Sequence, residues 1–181
     1  MKQFFLYVNL CILLVFCFTG SSCSSGRKNS KAELPEIITT DSLSRKYNLQ
    51  LDFMKHHFSG MLVARRMNSD EIRLIFTTYF GLSVFDFSLK NDSLHINSCI
   101  EPMRKKKVIK LLERDFKLLF LPSAHTKVKE KNTTFEKRTN GSGLGKAIIS
   151  LSEFQEREPQ RIEIKHPWIR LKIQLDQLTI N

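Results

Sequence analysis

The sequence predicts an α+β fold that is mainly antiparallel β, with a helix laid over the apolar face of its sheet. Three observations carry this. Ile72, Leu74, Phe76, Thr78 and Phe80 fall at every second position, and Ile169, Leu171, Ile173 and Leu175 alternate with Trp168, Arg170, Lys172 and Gln174. A period of two places each set on one face of a strand. Short turns at Asn68-Ser69-Asp70 and Asn91-Asp92 separate such runs, and tight connections join antiparallel neighbours. Residues 102–121 change to helical spacing.

The helix is marked at both ends. Pro102 suits a first-turn position, and Pro122 stops it. Val108, Leu111 or Leu112, Asp115 or Phe116, and Leu119 form one stripe, with Lys107, Lys110, Arg114 and Lys117 opposite. Such a helix either closes a core with a solvated basic face or lies on anionic lipid.

The chain has 181 residues, 41% hydrophobic and 26% charged, enough for one domain with its own core. Its formal charge of +11 suits nucleic acid, an anionic membrane surface, or simple solubility. The cysteines are Cys11, Cys17, Cys23 and Cys99. Their spacing matches no zinc pattern.

The N-terminus reads as a targeting segment. Lys2 precedes an apolar run over residues 4–18 that only Asn9 strongly interrupts, and Thr19-Gly20-Ser21-Ser22-Cys23 follows. A short apolar core backed by small residues is a secretory signal rather than a spanning helix. Ser21-Ser22-Cys23 resembles the lipobox of bacterial lipoproteins. That resemblance implies cleavage after residue 22 and a diacylglyceryl group on Cys23. Removing residues 1–22 takes away one lysine and no acid, so the formal charge falls from +11 to +10. Residues 23–32 read as a flexible tether, and residues 33–181 as a single domain. Ser24 follows the cysteine, with no acidic cluster behind it. By the same resemblance the expected address is the periplasmic face of the outer membrane. There nucleic acid is no partner, whatever the charge.

Within the domain, the segment up to Leu49 is expected to hold a short helix capped by Asp41 or Ser42. Leu49, Leu51 and Phe53 then alternate as an opening strand. His56 and His57 are adjacent on a strand and point to opposite faces, so they do not chelate one metal together. Gly60 permits a bend or bulge. Residues 125–138 read as a basic loop with one short strand near Thr133-Thr134-Phe135. Asn140-Gly141-Ser142-Gly143-Leu144-Gly145-Lys146 looks like a phosphate loop but lacks its first glycine. Ala147 also replaces the Ser/Thr that binds magnesium, so a glycine-rich turn between strands is the better reading. Residues 147–151 read as a strand, and residues 156–159 as a polar turn. Ile162 and Ile164 lead to His166-Pro167 and the final strand.

No catalytic constellation emerges: there is no nucleophile elbow, no His-Glu-x-x-His and no paired-cysteine site. The expectation is a protein that is not an enzyme and uses no cofactor or metal. Asp86 is either a buried acid or a carboxylate that faces water or binds backbone. Cys99 has no disulfide partner in the mature domain and reads as a small buried apolar residue.

The order of elements resembles the outer-membrane lipoprotein receptor LolB and its soluble partner LolA. The resemblance rests on Ser22-Cys23 and on Thr78-Tyr79-Phe80-Gly81-Leu82 followed by Val84-Phe85-Asp86-Phe87. Its third support is Pro159-Gln160-Arg161-Ile162-Glu163-Ile164, a turn, and residues 169–178. It implies an open, half-closed antiparallel β-barrel with a helical lid, delivering lipoproteins or lipid to the outer membrane. The implied partners are acyl chains or lipoproteins, a soluble LolA-like carrier, and the membrane itself through lipidated Cys23. The chain is expected to be a monomer.

An incompletely closed sheet with one apolar face encloses an apolar cavity. Burial alone holds an acyl chain there, at about 0.8 kcal/mol per methylene. Met61, Val63, Ile72, Leu74, Phe76, Val84 and Ile173 are the candidate lining residues. A filled core is the competing expectation, and it fits a structural or interaction lipoprotein of the envelope with no ligand. Tyr79, Phe80 and Leu82 flank Gly81, where the chain can turn sharply, and are candidates for an exposed membrane or partner tip. In LolB the apolar residue before the corresponding glycine protrudes, and Phe80 matches it. Alternatively Phe80 continues the Ile72-Leu74-Phe76 face into the core.

Overall fold

The first and last strands of the domain pair with each other and join two meanders into one antiparallel sheet. A computed structural model describes residues 33–40 and 44–178. The expected signal segment, Cys23, the expected tether, Asp41 and Ser42 lie outside the described residues. The strands are β1 (Arg45–Phe53), β2 (His56–Asn68), β3 (Glu71–Thr78), β4 (Ser83–Lys90), β5 (Ser93–Cys99), β6 (Thr126–Lys131), β7 (Phe135–Asn140), β8 (Ala147–Gln155), β9 (Glu158–His166) and β10 (Leu171–Gln177). Their order is β5-β4-β3-β2-β1-β10-β9-β8-β7-β6. The edge strands do not pair with each other, so the sheet is open. Each edge carries hydrophilic side chains, His95 and Asn97 on β5 and Lys127, Lys129 and Lys131 on β6, which discourages edge-to-edge association.

One helix, α1 (Lys106–Phe120), covers the apolar face. Alternation decides that face: Tyr47, Leu49 and Leu51 of β1, Ile72, Leu74 and Phe76 of β3, and Leu171, Ile173 and Leu175 of β10 are all buried. From α1, Val108, Leu112, Phe116 and Leu119 meet them, together with Asp115. The α+β, mainly antiparallel reading therefore holds.

Several details differ from the sequence reading. Pro102 belongs to a separate 3-10 turn, Glu101–Met103, and α1 begins after Lys105. The described part of the segment before β1 is not helical. It is held in extended form because Leu34 bridges Ser123, and Ile37 and Ile38 donate to the Leu119 carbonyl at 3.0 and 2.9 Å. Residues 125–138 are a hairpin of β6 and β7 rather than a loop, its turn closed by Asn132 Oδ1, which accepts from the Thr134 and Phe135 amides. Ile169 lies in a turn, where its amide donates to His166 O at 3.2 Å, so the last strand starts at Leu171.

Met61 and Val63 also need correction. They are half-exposed on the opposite face, and Gly60, Leu62 and Ala64 take the buried one. The run from Met61 to Ala64 is apolar throughout, so alternation within it does not choose a face; the neighbouring strand does. Leu62 pairs with Phe76 and Ala64 with Leu74, and directly paired residues share a face. Gly60 is fixed by crowding rather than by a bend, since a Cβ there would stand 2.1 Å from the Thr77 carbonyl oxygen.

Candidate functional site

Of the seven candidate lining residues, Ile72, Leu74, Phe76, Val84 and Ile173 meet on the buried face. The space they face is occupied. Phe116 of α1 lies 5.7 Å from the Phe85 ring and 6.4 Å from that of Phe87, and Phe85 and Phe87 stack at 4.4 Å. Phe76 and Phe120 extend this aromatic cluster on either side. Rings at such spacings add about 0.5–1.5 kcal/mol per pair beyond simple burial.

The candidate tip stands apart from that core. A register shift at Phe76/Thr77 interrupts the alternation of β3, and the strand ends at Thr78. The turn is closed by Gly81 N–H to Thr78 O at 3.0 Å and Thr78 N–H to Leu82 O at 2.9 Å. Gly81 takes φ 83°, a conformation that glycine adopts without steric cost. Phe80 is consequently 99% exposed, and the reading that continues the core face through it is corrected. Tyr79 and Leu82 are exposed beside it. The Tyr79 hydroxyl donates to Asn48 Oδ1 at 2.7 Å, which ties the base of the turn to β1 and leaves Phe80 outermost.

A cleft of about 560 Å³ opens beside the extended N-terminal segment, its apolar wall made by Ile37, Leu151, Phe154 and Pro159. Lys131, Arg157, Glu136 and Arg138 line its polar side. Arg138 is buried; it pairs with Glu136 and donates to the Pro35 carbonyl. Burial pushes the Glu136 carboxyl up, but Lys131 and Arg138 together hold it below its usual range.

The buried polar cluster on α1 escaped sequence reasoning. His166 Nε2 lies 2.9 and 2.8 Å from the two Asp115 oxygens, and Arg114 Nη2 lies 3.1 Å from His166 Nδ1. Arginine only donates, so Nδ1 accepts and Nε2 carries the proton that Asp115 receives. Burial pushes Asp115 up from the ordinary carboxylate range, and His166 and Arg114 oppose it. Arg114 Nε is buried and has no hydrogen-bond partner among the described residues. The only sequence signals for this cluster were an acid on the apolar stripe of the helix and a histidine at a strand end.

No family model matches this chain, and no curated protein does.

The remaining candidates are structural. His56 and His57 are both exposed, and His57 Nδ1 lies 2.5 Å from Asp52 Oδ1. Among the described residues, no group of three or more His, Cys, Asp or Glu side chains is placed to hold a metal. Asp86 is not a buried acid: it accepts from Arg73 Nε at 3.0 Å and Nη2 at 2.7 Å. Cys99 is a buried thiol that forms no disulfide among the described residues. The glycine-rich stretch is a turn between β7 and β8, with one 3-10 turn at Gly143–Gly145. No helix among the described residues is long and apolar enough to cross a membrane.

Proposed function

We propose that this chain is a lipid-anchored lipoprotein of the periplasmic face of the outer membrane, which accepts acyl chains or acylated proteins and delivers them to that membrane. The observation that carries the reading is Phe80, fully exposed on a glycine turn beside a sheet whose apolar face is roofed by α1. Exposed large apolar side chains on a turn mark a membrane or partner site. The resemblance to LolB supplies the rest: a half-closed barrel with α1 as its lid, an anchor at Cys23, and a soluble LolA-like donor.

On this reading an acyl chain enters by the cleft at Ile37, Leu151, Phe154 and Pro159 and displaces Phe116. The cleft's volume of about 560 Å³ falls within the range of about 300–1,000 Å³ for small-molecule sites. The first turn of α1 is suited to loosen. Its N-terminus has no side-chain cap and no acidic residue in the first turn. Lys105, Lys106 and Lys107 there oppose the helix macrodipole.

The aromatic cluster around Phe116 favours a second reading, an interaction lipoprotein with a filled core and no ligand. A fluorescent fatty acid titrated into the full chain separates the two. The carrier reading expects saturable binding that palmitate displaces and that Phe154→Asp weakens with the fold intact. A wild-type chain without saturable binding would leave the filled-core reading standing.

A further inference from the structure

The two ends of the sheet differ in chemistry. In an antiparallel meander, alternate turns fall on the same end. The β1–β2, β7–β8 and β9–β10 turns share one end with the β3–β4 turn. They occupy residues 54–55, 141–146 and 167–170 and carry Met54, Leu144 and Trp168, which are 69%, 75% and 67% exposed. Their charged residues are Lys55, Lys146 and Arg170, and none holds an acid. The turns of the opposite end lie at residues 69–70, 91–92, 132–134 and 156–157. They contain no large apolar residue and include Asp70, Asp92 and Glu156.

The three apolar turns are level. Phe53 pairs with Leu171, Leu171 with His166, Ile148 with Lys165, and Ala147 with Asn140. The Met54 amide donates to the Arg170 carbonyl at 3.2 Å, joining two of the turns directly. The Phe80 turn is set back, because β3 ends opposite Gly60, four residues into β2 after His56. The end of β3 thus lies about 13 Å back along a strand, and only residues 79–82 extend past it. The level turns are therefore a separate surface from the Phe80 tip.

Two residues of these turns are held against local backbone preference. Met54 has φ 56° and Arg170 φ 48°, a region that ordinarily goes to Gly, Asn or Asp. At the opposite end Asn91 and Asp92 follow that preference, while Glu156 and Arg157 also take positive φ. The third turn holds Leu144 between glycines and opens onto a basic cleft of about 460 Å³, lined by His125, Lys127, Lys129 and Lys146 with no carboxylate.

We infer that this end of the sheet docks onto an anionic phospholipid bilayer, with Met54, Leu144 and Trp168 entering the interface while Lys55, Lys146 and Arg170 meet lipid phosphates. Apolar tips ringed by cations match both parts of such a surface, and an exposed Trp suits the headgroup depth. The cleft of Lys127, Lys129 and Lys146 would take a headgroup beside the inserted Leu144. This surface does not depend on acyl-chain carriage and orients the domain whether or not a ligand is bound.

Trp168 is the chain's one tryptophan, so its fluorescence reports the tip directly. The full chain is mixed with phosphatidylglycerol vesicles and with phosphatidylcholine vesicles, each with brominated acyl chains. Trp168 emission should shift to the blue and be quenched on phosphatidylglycerol, and much less on phosphatidylcholine. Lys55→Gln and Lys146→Gln, both at exposed turns, should each weaken partitioning onto phosphatidylglycerol about fivefold. Absence of quenching, equal quenching on both lipids, or unchanged partitioning in both variants would overturn the inference.

Discussion

His166 and Asp115 hold the helix to the sheet from inside the core: the imidazole of β9 donates to a fully buried carboxylate of α1 at 2.8 Å. Asp115→Ala leaves the His166 N–H buried without an acceptor, which should cost about 1–3 kcal/mol in denaturant unfolding. Removing both partners at once, as Asp115→Leu with His166→Leu, should recover part of that loss, because the His166 donor leaves with its acceptor while Arg114 Nη2 loses the acceptor it has on Nδ1. A double variant as unstable as the sum of the singles would contradict this.

Gly60→Ala should destabilise the domain by about 1–3 kcal/mol. The added methyl meets the Thr77 backbone, which cannot turn aside as a side chain would. Thermal unfolding measures it, and an unchanged melting temperature would show that β2 and β3 separate freely.

Phe80→Glu should change stability by no more than about 0.5 kcal/mol, since the side chain packs on nothing. It should nevertheless impair transfer of an acylated protein into liposomes. A large fall in melting temperature would place Phe80 in the core after all.

The Arg73 guanidinium holds Asp86 below the usual carboxylate range; burial works against it, and Asn97 adds a third hydrogen bond to the two from Arg73. The unfolded chain therefore binds the proton first as pH falls, so stability rises with pH across that window. The contribution is complete above the ordinary carboxylate pKa and is lost as pH drops through the depressed one. Asp86→Asn should flatten the acid limb of the stability profile and cost under about 1 kcal/mol near neutrality. An acid limb identical to wild type would refute the assignment.

The sheet was legible where apolar and polar residues alternate, as in β10 and, Ile75 apart, in β3, because period two leaves only one way to bury the apolar set. It was not legible in residues 61–64, where four apolar residues in succession left the face to be chosen by β3. The β6–β7 hairpin was hidden because the exposed residues of β6, Lys127 to Lys131, carry almost no apolar signal. Among the site residues, the Phe80 turn could be read from Gly81. Asp115 and His166 could not be paired, since they stand 51 residues apart and only the folded sheet brings them together.

Native mass spectrometry of the chain extracted from its own membranes tests the central claim most directly. The account predicts a mature chain that begins at diacylglyceryl-modified Cys23 and carries, in addition, a noncovalently bound acyl species that collisional activation releases. A chain that retains residues 1–22, or one that carries no releasable acyl species under conditions that preserve the fold, would contradict it.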